Sequence, residues 1–269
     1  MSKGGRMANL HEHFSTVAKV YRELRTTDEA PIRFIRDQLA GLASIRAVDV
    51  GCGAGRYDLL LFRYLPNLHL TCIDVNPEML EQLSAYLAAN GIRDFETAAS
   101  GVEELEFEDG SLDCVFTFNA VHHFDFPTFI GKARDATRQG GGIFIYTRFI
   151  YTRTPSQNAE TIWGRYFPGF LDKETRLYHL ADMKRWVEAT DGVRLATAKR
   201  FRYPRVASLD RLLAQAQGKH YSTFCLYSPR EFETALEGFE DNIRRDFDDP
   251  GRVAWRDGNV MLKVQRTKA

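Results

Sequence analysis

Apolar positions recur with two different periods along this chain, and the change between them divides it. Near the start the spacing is helical. Phe14, Ala18 and Tyr21 predict a helix over residues 11–25. A second helix is predicted over residues 30–42, with Pro31 in its first turn and Ile32, Ile35, Leu39 and Leu42 on one face. From residue 45 short apolar runs alternate with helical patterns. Residues 46–50 read as a strand that runs into Gly-Cys-Gly-Ala-Gly, followed by a buried helix over 56–64 carrying Leu59, Leu60, Leu61 and Phe62. Residues 68–74 are a second strand. Asn76 and Pro77 then supply a cap and a first-turn proline for a helix whose apolar face is Met79, Leu80, Leu83 and Leu87. Strands are predicted over 95–98 and 112–118, a helix over 128–138, and a strand over 143–149 that follows three glycines, Gly140 to Gly142.

Strand and helix alternate from 45 to 149 with short connections, the pattern of a parallel sheet with helices on both faces. Right-handed crossovers make it a doubly wound, Rossmann-like α/β sheet. Beyond 149 the periodicity is helical to residue 190: Ile162, Trp163, Tyr166 and Phe167 share one face, and Met183, Trp186 and Val187 another. A strand over 193–203, a short helix over 208–217 and a final strand over 260–264 follow. Between the last two, Ser228-Pro229-Arg230-Glu231 has the form of a capping box opening a helix with Phe232, Leu236, Phe239 and Ile243 on one side. The expectation is a mostly parallel seven-stranded sheet completed by two late strands, with a helical cap laid over it.

Composition narrows the function classes. Lys plus Arg and Asp plus Glu each total 36 of 269 residues, so the chain carries no net charge. That argues against a general electrostatic grip on nucleic acid, which needs clustered positive charge. No apolar run approaches the ~18 residues that cross a bilayer, and the first residues lack the apolar core of a secretory signal. The four cysteines, Cys52, Cys72, Cys114 and Cys225, have neither C-x-x-C nor zinc spacing. A reducing, cytoplasmic setting with no metal and no membrane partner is expected.

The chemistry concentrates at the glycine turn. Asp49-Val50-Gly51-Cys52-Gly53-Ala54-Gly55 joins a strand to a helix, where open α/β sheets bind ligands. Asp74 ends the second strand 19 residues after Gly55, the placement of an acid that accepts hydrogen bonds from ribose hydroxyls. The turn lacks the third glycine of G-x-G-x-x-G, since Arg56 stands there, so it is not tuned to a pyrophosphate. An acid beside the turn, Asp49, repels a pyrophosphate and suits an amine.

VDVGCGAG, CIDVNPEML, ELEFEDGSLDCVFTFNAVHHF and RQGGGIFIYT, in this order, resemble the successive motifs of class I S-adenosylmethionine-dependent methyltransferases. They are most similar to the small-molecule group that includes ubiquinone/menaquinone and trans-aconitate methyltransferases. The resemblance covers roughly residues 10–150. It implies that Asp49, Gly51, Cys52, Gly53 and Gly55 hold the methionine part of S-adenosylmethionine. Asp74 takes the ribose hydroxyls, and Val75 and Met79 pack on the adenine. Ser100, Gly101 and Val102 face the adenine edge, where many members of the family carry Gly-Asp-Ala. Asn119 and Ala120 reach the amino-acid end. The helix over 11–25 resembles the family's lid, with Tyr21 over the methyl donor. The implied organisation is a lid over 1–44, a cofactor-binding core over 45–149, a helical cap over 150–192, and late strands over 193–269 with helices inserted between 205 and 258.

An acceptor site is expected at the ends of the fourth and fifth strands. His122 and His123 are candidate bases, Tyr146 lies nearby, and Arg148 is a candidate clamp for a carboxylate or phosphate. The segment His220-Tyr221-Ser222-Thr223-Phe224 reads as a pocket wall, with Tyr221 and His220 as its contacts and Arg25 facing the same cavity. The expected partner is a small methyl acceptor, aromatic or carboxylated. FNAVHHF also resembles tRNA wobble-uridine carboxymethyl methyltransferases, and residues 194–205 hold five Lys or Arg and no acid, which leaves an RNA methyltransferase as the alternative. A third reading is a protein that binds the cofactor without transferring the methyl group.

Overall fold

The computed structural model describes residues 26–148 and 161–267. The predicted helix over 11–25, with Phe14, Tyr21 and Arg25, lies outside them, as do Phe149 and Tyr151.

The described residues contain the expected seven strands in one sheet: β1 (Ile45–Val50), β2 (Leu68–Asp74), β3 (Glu96–Ala99), β4 (Leu112–Phe118), β5 (Thr137–Thr147), β6 (Val193–Ala207) and β7 (Val253–Arg266). Their spatial order is β3-β2-β1-β4-β5-β7-β6. β1, β2, β3, β4 and β5 pair in parallel, and β7 pairs antiparallel with β5. β1 is flanked by β2 and β4, so the winding reverses there and a crevice opens at the carboxyl ends of β1 and β4.

The helices are α1 (Ala30–Gln38), α2 (Asp58–Tyr64), α3 (Pro77–Ala89), α4 (Phe126–Ala136), α5 (Ile162–Tyr166), α6 (Phe170–Lys173), α7 (Leu180–Glu188), α8 (Leu209–Gln217) and α9 (Pro229–Asp246). Several begin where their capping chemistry dictates. The Asn76 side chain accepts the Met79 N–H at 3.1 Å, and Pro77 occupies the first turn of α3. Ser228 and Glu231 close both halves of the capping box of α9. The Ser208 hydroxyl caps α8 by accepting the Arg211 N–H at 3.2 Å.

Several boundaries differ from the sequence reading. α1 stops at Gln38, four residues early. α4 starts at Phe126 because Asp125 is its cap, accepting both the N–H and the hydroxyl of Thr128. β5 begins at Thr137 and runs through the three glycines. Its register with β4 jumps from Leu112↔Thr137 to Cys114↔Gly142, and the extra residues bulge out. A side chain at Gly141 would stand 2.6 Å from the Asp113 carbonyl oxygen, so the glycines serve a bulge inside the strand. β6 and β7 extend well beyond 193–203 and 260–264. Their added segments carry Arg, Asp and Gly at exposed or half-buried positions, so no apolar run marked them.

The described chain divides into two compact units, and the division falls within β6 and β7. Residues 26–148, 178–201 and 259–267 form the sheet unit, so α7 belongs with the sheet. Residues 161–177 and 202–258 form the other. The second unit has its own aromatic core. Trp163 stacks on Phe239 with ring centroids 5.0 Å apart and meets Phe224 edge-on at 5.3 Å. Within this core the carboxylate of Glu174 accepts a two-pronged bond from Arg176, at 2.9 and 2.7 Å, and the Thr223 hydroxyl. Ser222 accepts from Arg176 in turn, at 3.1 Å.

This arrangement corrects the reading of residues 220–224 as a pocket wall. Ser222, Thr223 and Phe224 lie in a short 3-10 turn packed into the core. Their hydroxyls are spent on the Glu174–Arg176 pair, which is why polar residues are buried there. His220 is buried against Trp163, and Tyr221 is half-buried between His220 and Phe170.

Candidate cofactor site

β1 delivers Asp49 to the crevice and then turns sharply. Gly51, Gly53 and Gly55 all have positive φ, at 75°, 57° and 78°. The turn is tied to β2, because the Gly51 and Cys52 N–H groups both donate to the Ile73 carbonyl, at 2.7 and 3.0 Å. The three glycines do different work. A Cβ on Gly51 would lie 2.4 Å from Ala120 Cβ, and one on Gly55 would lie 3.0 Å from Leu83, so both are required by packing. Among the described residues nothing lies within 4 Å of a Cβ on Gly53, whose outer face is open. That open backbone is where a ligand can approach closely.

Asp74 closes the other side. One carboxylate oxygen accepts the Gly53 N–H at 2.9 Å and the other accepts the Asn76 N–H at 2.9 Å. Asp74 therefore splints the glycine turn to the end of β2, while Asn76 does the helix capping. Val75, beside it, is 64% exposed, an apolar surface left open for a flat ring. Met79 is buried on the inner face of α3, so of the two apolar candidates Val75 presents the accessible surface. Ser100 donates its N–H to the Asp74 carbonyl, its hydroxyl bonds the Gly101 carbonyl, and Val102 is buried at the start of a 3-10 turn.

At the end of β4, Asn119 takes a left-handed conformation, φ 55°, and its side-chain oxygen accepts from Asn259 of β7 at 3.0 Å. Ala120 follows, under Gly51. The His122 and His123 rings lie 4.1 Å apart, His122 nearly buried and His123 exposed. Arg148 is half-buried after the end of β5. Tyr146 is fully buried among Tyr57, Phe118 and Phe201, which removes it as an acceptor contact. Of the basic stretch, Arg194 bonds Gln265, Lys199 lies over the Phe34 and Phe201 rings, and Arg205 pairs with Asp257. Much of that charge thus serves the strand's own surface.

The sequence reading missed one acid. Asp58, the first residue of α2, is fully buried and faces Asp49. An acid opening a helix ordinarily reads as a solvated first-turn residue. Its only signal was the apolar run behind it, Leu59 to Leu61, which leaves that turn no exposed side. The Cys72 thiol donates to one Asp58 oxygen at 3.3 Å. The second oxygen of Asp58 and one oxygen of Asp49 are buried without a hydrogen-bond partner. Burial and the facing Asp58 carboxylate push Asp49 well above the usual carboxylate range. Burial raises Asp58 to about 6.

These elevations have a consequence for stability. A carboxyl group raised in the folded state stabilises it below the unfolded pKa, and that contribution is lost as pH rises through the folded value. The free protein is therefore expected to lose on the order of 3 kcal/mol between pH ~4 and neutrality through Asp58, given ~1.4 kcal/mol per pKa unit and the rise from 3.8 to about 6. Thermal melts at pH 5 and pH 8 check this. Asp58→Asn should flatten the slope, and an unchanged slope would remove the acid pair as its cause.

Residues 47–141 match the family described as Methyltransferase domain. The ubiquinone biosynthesis O-methyltransferase of Xanthomonas euvesicatoria pv. vesicatoria is 31% identical over 140 residues, 51% of this chain and 56% of that protein. The ribosomal RNA small subunit methyltransferase C of Shewanella loihica is 32% identical over 104 residues, 37% of this chain and 30% of that protein. The chain thus spans about half the length, or less, of these curated relatives. Among solved structures, geranyl diphosphate C-methyltransferase from Streptomyces coelicolor, crystallised with S-adenosyl-L-homocysteine, shares the fold with TM-score 0.55 at 13% identity, covering 88% of this chain and 76% of that one.

Residues 47–141 thus carry a methyltransferase domain, the S-adenosylmethionine-binding part of the class I methyltransferases. The fit is visible in the residues. Among the described residues, an open glycine backbone at Gly53, an acid bonded to it at Asp74 and a buried carboxylate oxygen without a partner at Asp49 suit a zwitterionic nucleoside. Among the described residues no helix is long and apolar enough to cross a membrane, and no group of three or more His, Cys, Asp or Glu side chains could hold a metal ion.

Proposed function

We propose that this protein transfers a methyl group from S-adenosylmethionine to a small-molecule acceptor. The observation that carries the reading is the pairing of Asp74 with the open face of Gly53 at the sheet's switch point. Gly51, Cys52, Gly53 and Gly55 would hold the methionine end together with Asp49 and Asn119. Asp74 would bind the ribose, Val75 the adenine face, and Ser100 to Val102 its edge. The cofactor supplies an electrophilic methyl on a sulfonium. The chain's contribution is alignment of the acceptor, worth several kcal/mol when the geometry is right.

The acceptor reading draws on the crevice rim. His123 is exposed beside the nearly buried His122, and Arg148 follows β5. An exposed imidazole can take a proton from an acceptor hydroxyl or amine, and a guanidinium can hold a carboxylate or phosphate. Zero net charge and the engagement of Arg194, Lys199 and Arg205 in the strand's own contacts favour a small acceptor over RNA.

The test is transfer of labelled methyl to a panel of small phenols, carboxylates and amines, beside total RNA. Label entering a small acceptor supports the reading, and label entering RNA alone overturns it. With the acceptor in hand, His123→Ala should lower kcat by about 10²-fold, the low end of general-base effects, while S-adenosylhomocysteine affinity stays within twofold. An unchanged kcat would remove His123 as the base.

A further inference from the structure

We propose that Asp58 is a positioning residue for the cofactor. The Asp49–Asp58 carboxyl pair holds one proton in the free protein and releases it to solvent when a ligand ammonium group docks on Asp49. This rests on the reading of the crevice as the cofactor site and adds to it a residue and a proton.

The geometry is that of two acids with nothing else among the described residues to neutralise them. Asp49 and Asp58 are both buried, 1% and 0% exposed, and face each other from β1 and α2. Neither has an ion-pair partner among the described residues. Among the described residues the groups turned toward them are Cys52 from the turn, and Cys72 and Asp74 from β2, none of them cationic. α3 offers Leu83, packed on Gly55. The nearest cation in sequence, Arg56, is turned to the Thr26 carbonyl and the Thr27 hydroxyl, at 3.0 and 3.2 Å.

Two ionised carboxylates do not share a dry site, and one proton between them removes the repulsion. That proton leaves one oxygen on each acid without a partner. An ammonium group arriving at Asp49 supplies the missing positive charge, and the proton is expelled. No bond forms or breaks beyond this transfer from carboxyl to water. The thiol of Cys72, donating to Asp58, fixes that carboxyl's orientation in both states.

The experiment is calorimetric titration of the full chain with S-adenosylhomocysteine at pH 7, in phosphate and in Tris, whose ionisation heats differ. The wild type should release close to one proton per ligand. Its affinity should tighten with pH, up to about tenfold per unit for one linked proton, and then level off. In Asp58→Asn the amide donates to Asp49 and leaves it ionised beforehand. This variant should release no proton and bind more tightly than the wild type at pH 6, with the two converging at high pH. A merely structural role would weaken binding at every pH.

Binding without proton release in the wild type would overturn the inference and leave the cofactor site standing. Absence of binding at any pH would sink the cofactor reading itself. Should Asp58→Asn fail to fold, the infrared difference spectrum of the wild type decides. Loss of a protonated-carboxyl band on ligand binding supports the pair, and its persistence overturns it.

Discussion

In Asp74→Ala, binding of S-adenosylhomocysteine is expected to weaken by at least about 100-fold, with the sheet intact. Two ribose hydroxyls would lose a charged acceptor, and each such bond is worth about 1.5–3 kcal/mol, with a tenfold change per ~1.4 kcal/mol. The variant also frees the Gly53 and Asn76 N–H groups, now held at 2.9 Å each. Both lie at the crevice, where water can replace the carboxylate, so the melting temperature should fall by only a few degrees. Calorimetric titration and a thermal melt of the same preparation separate the two effects. A variant that binds as tightly as the wild type would exclude Asp74 as the ribose acceptor and reduce it to a splint for the turn.

This dual use of Asp74 marks how far the sequence could be read. Its position at the end of an apolar strand, a fixed distance past a glycine turn, is a linear pattern, and linear patterns located the sheet, the turn and the caps at Asn76 and Ser228. That the same carboxylate holds Gly53 is a contact across 21 residues, which no periodicity reports. Asp58 was hidden for a related reason. Its chemistry comes from facing Asp49 across a strand–helix interface, and that pairing exists only once α2 is laid on β1. Asn259, bonded to Asn119, lies outside the final strand as read from the apolar run at 260–264. Conversely, polar residues beside aromatics in 220–224 read as a pocket, because a buried Glu174–Arg176 pair that consumes their hydroxyls has no one-dimensional signature.

The glycine turn yields the second large effect, and it tests the division of labour among its glycines. Gly51→Ala places a methyl 2.4 Å from Ala120 Cβ and 2.9 Å from the Phe124 ring, at φ 75°. A left-handed residue costs about 1–2 kcal/mol and overpacking a further 1–3, so a loss of about 2–5 kcal/mol is expected. Most of it should appear as a lower melting temperature without ligand. Ala120→Gly in the same chain removes the nearest clash and should recover the overpacking share, leaving the backbone strain. Gly53→Ala carries a similar backbone penalty at φ 57° but meets no atom of the described residues within 4 Å. It should melt within a few degrees of the wild type yet lose about tenfold or more in S-adenosylhomocysteine affinity, because its methyl fills the space left for the ligand. Equal melting temperatures for the two variants would contradict the packing role of Gly51. Undiminished affinity in Gly53→Ala would mean that the ligand does not approach that backbone, and the site would then have to be built from Asp74 and the end of β4 alone.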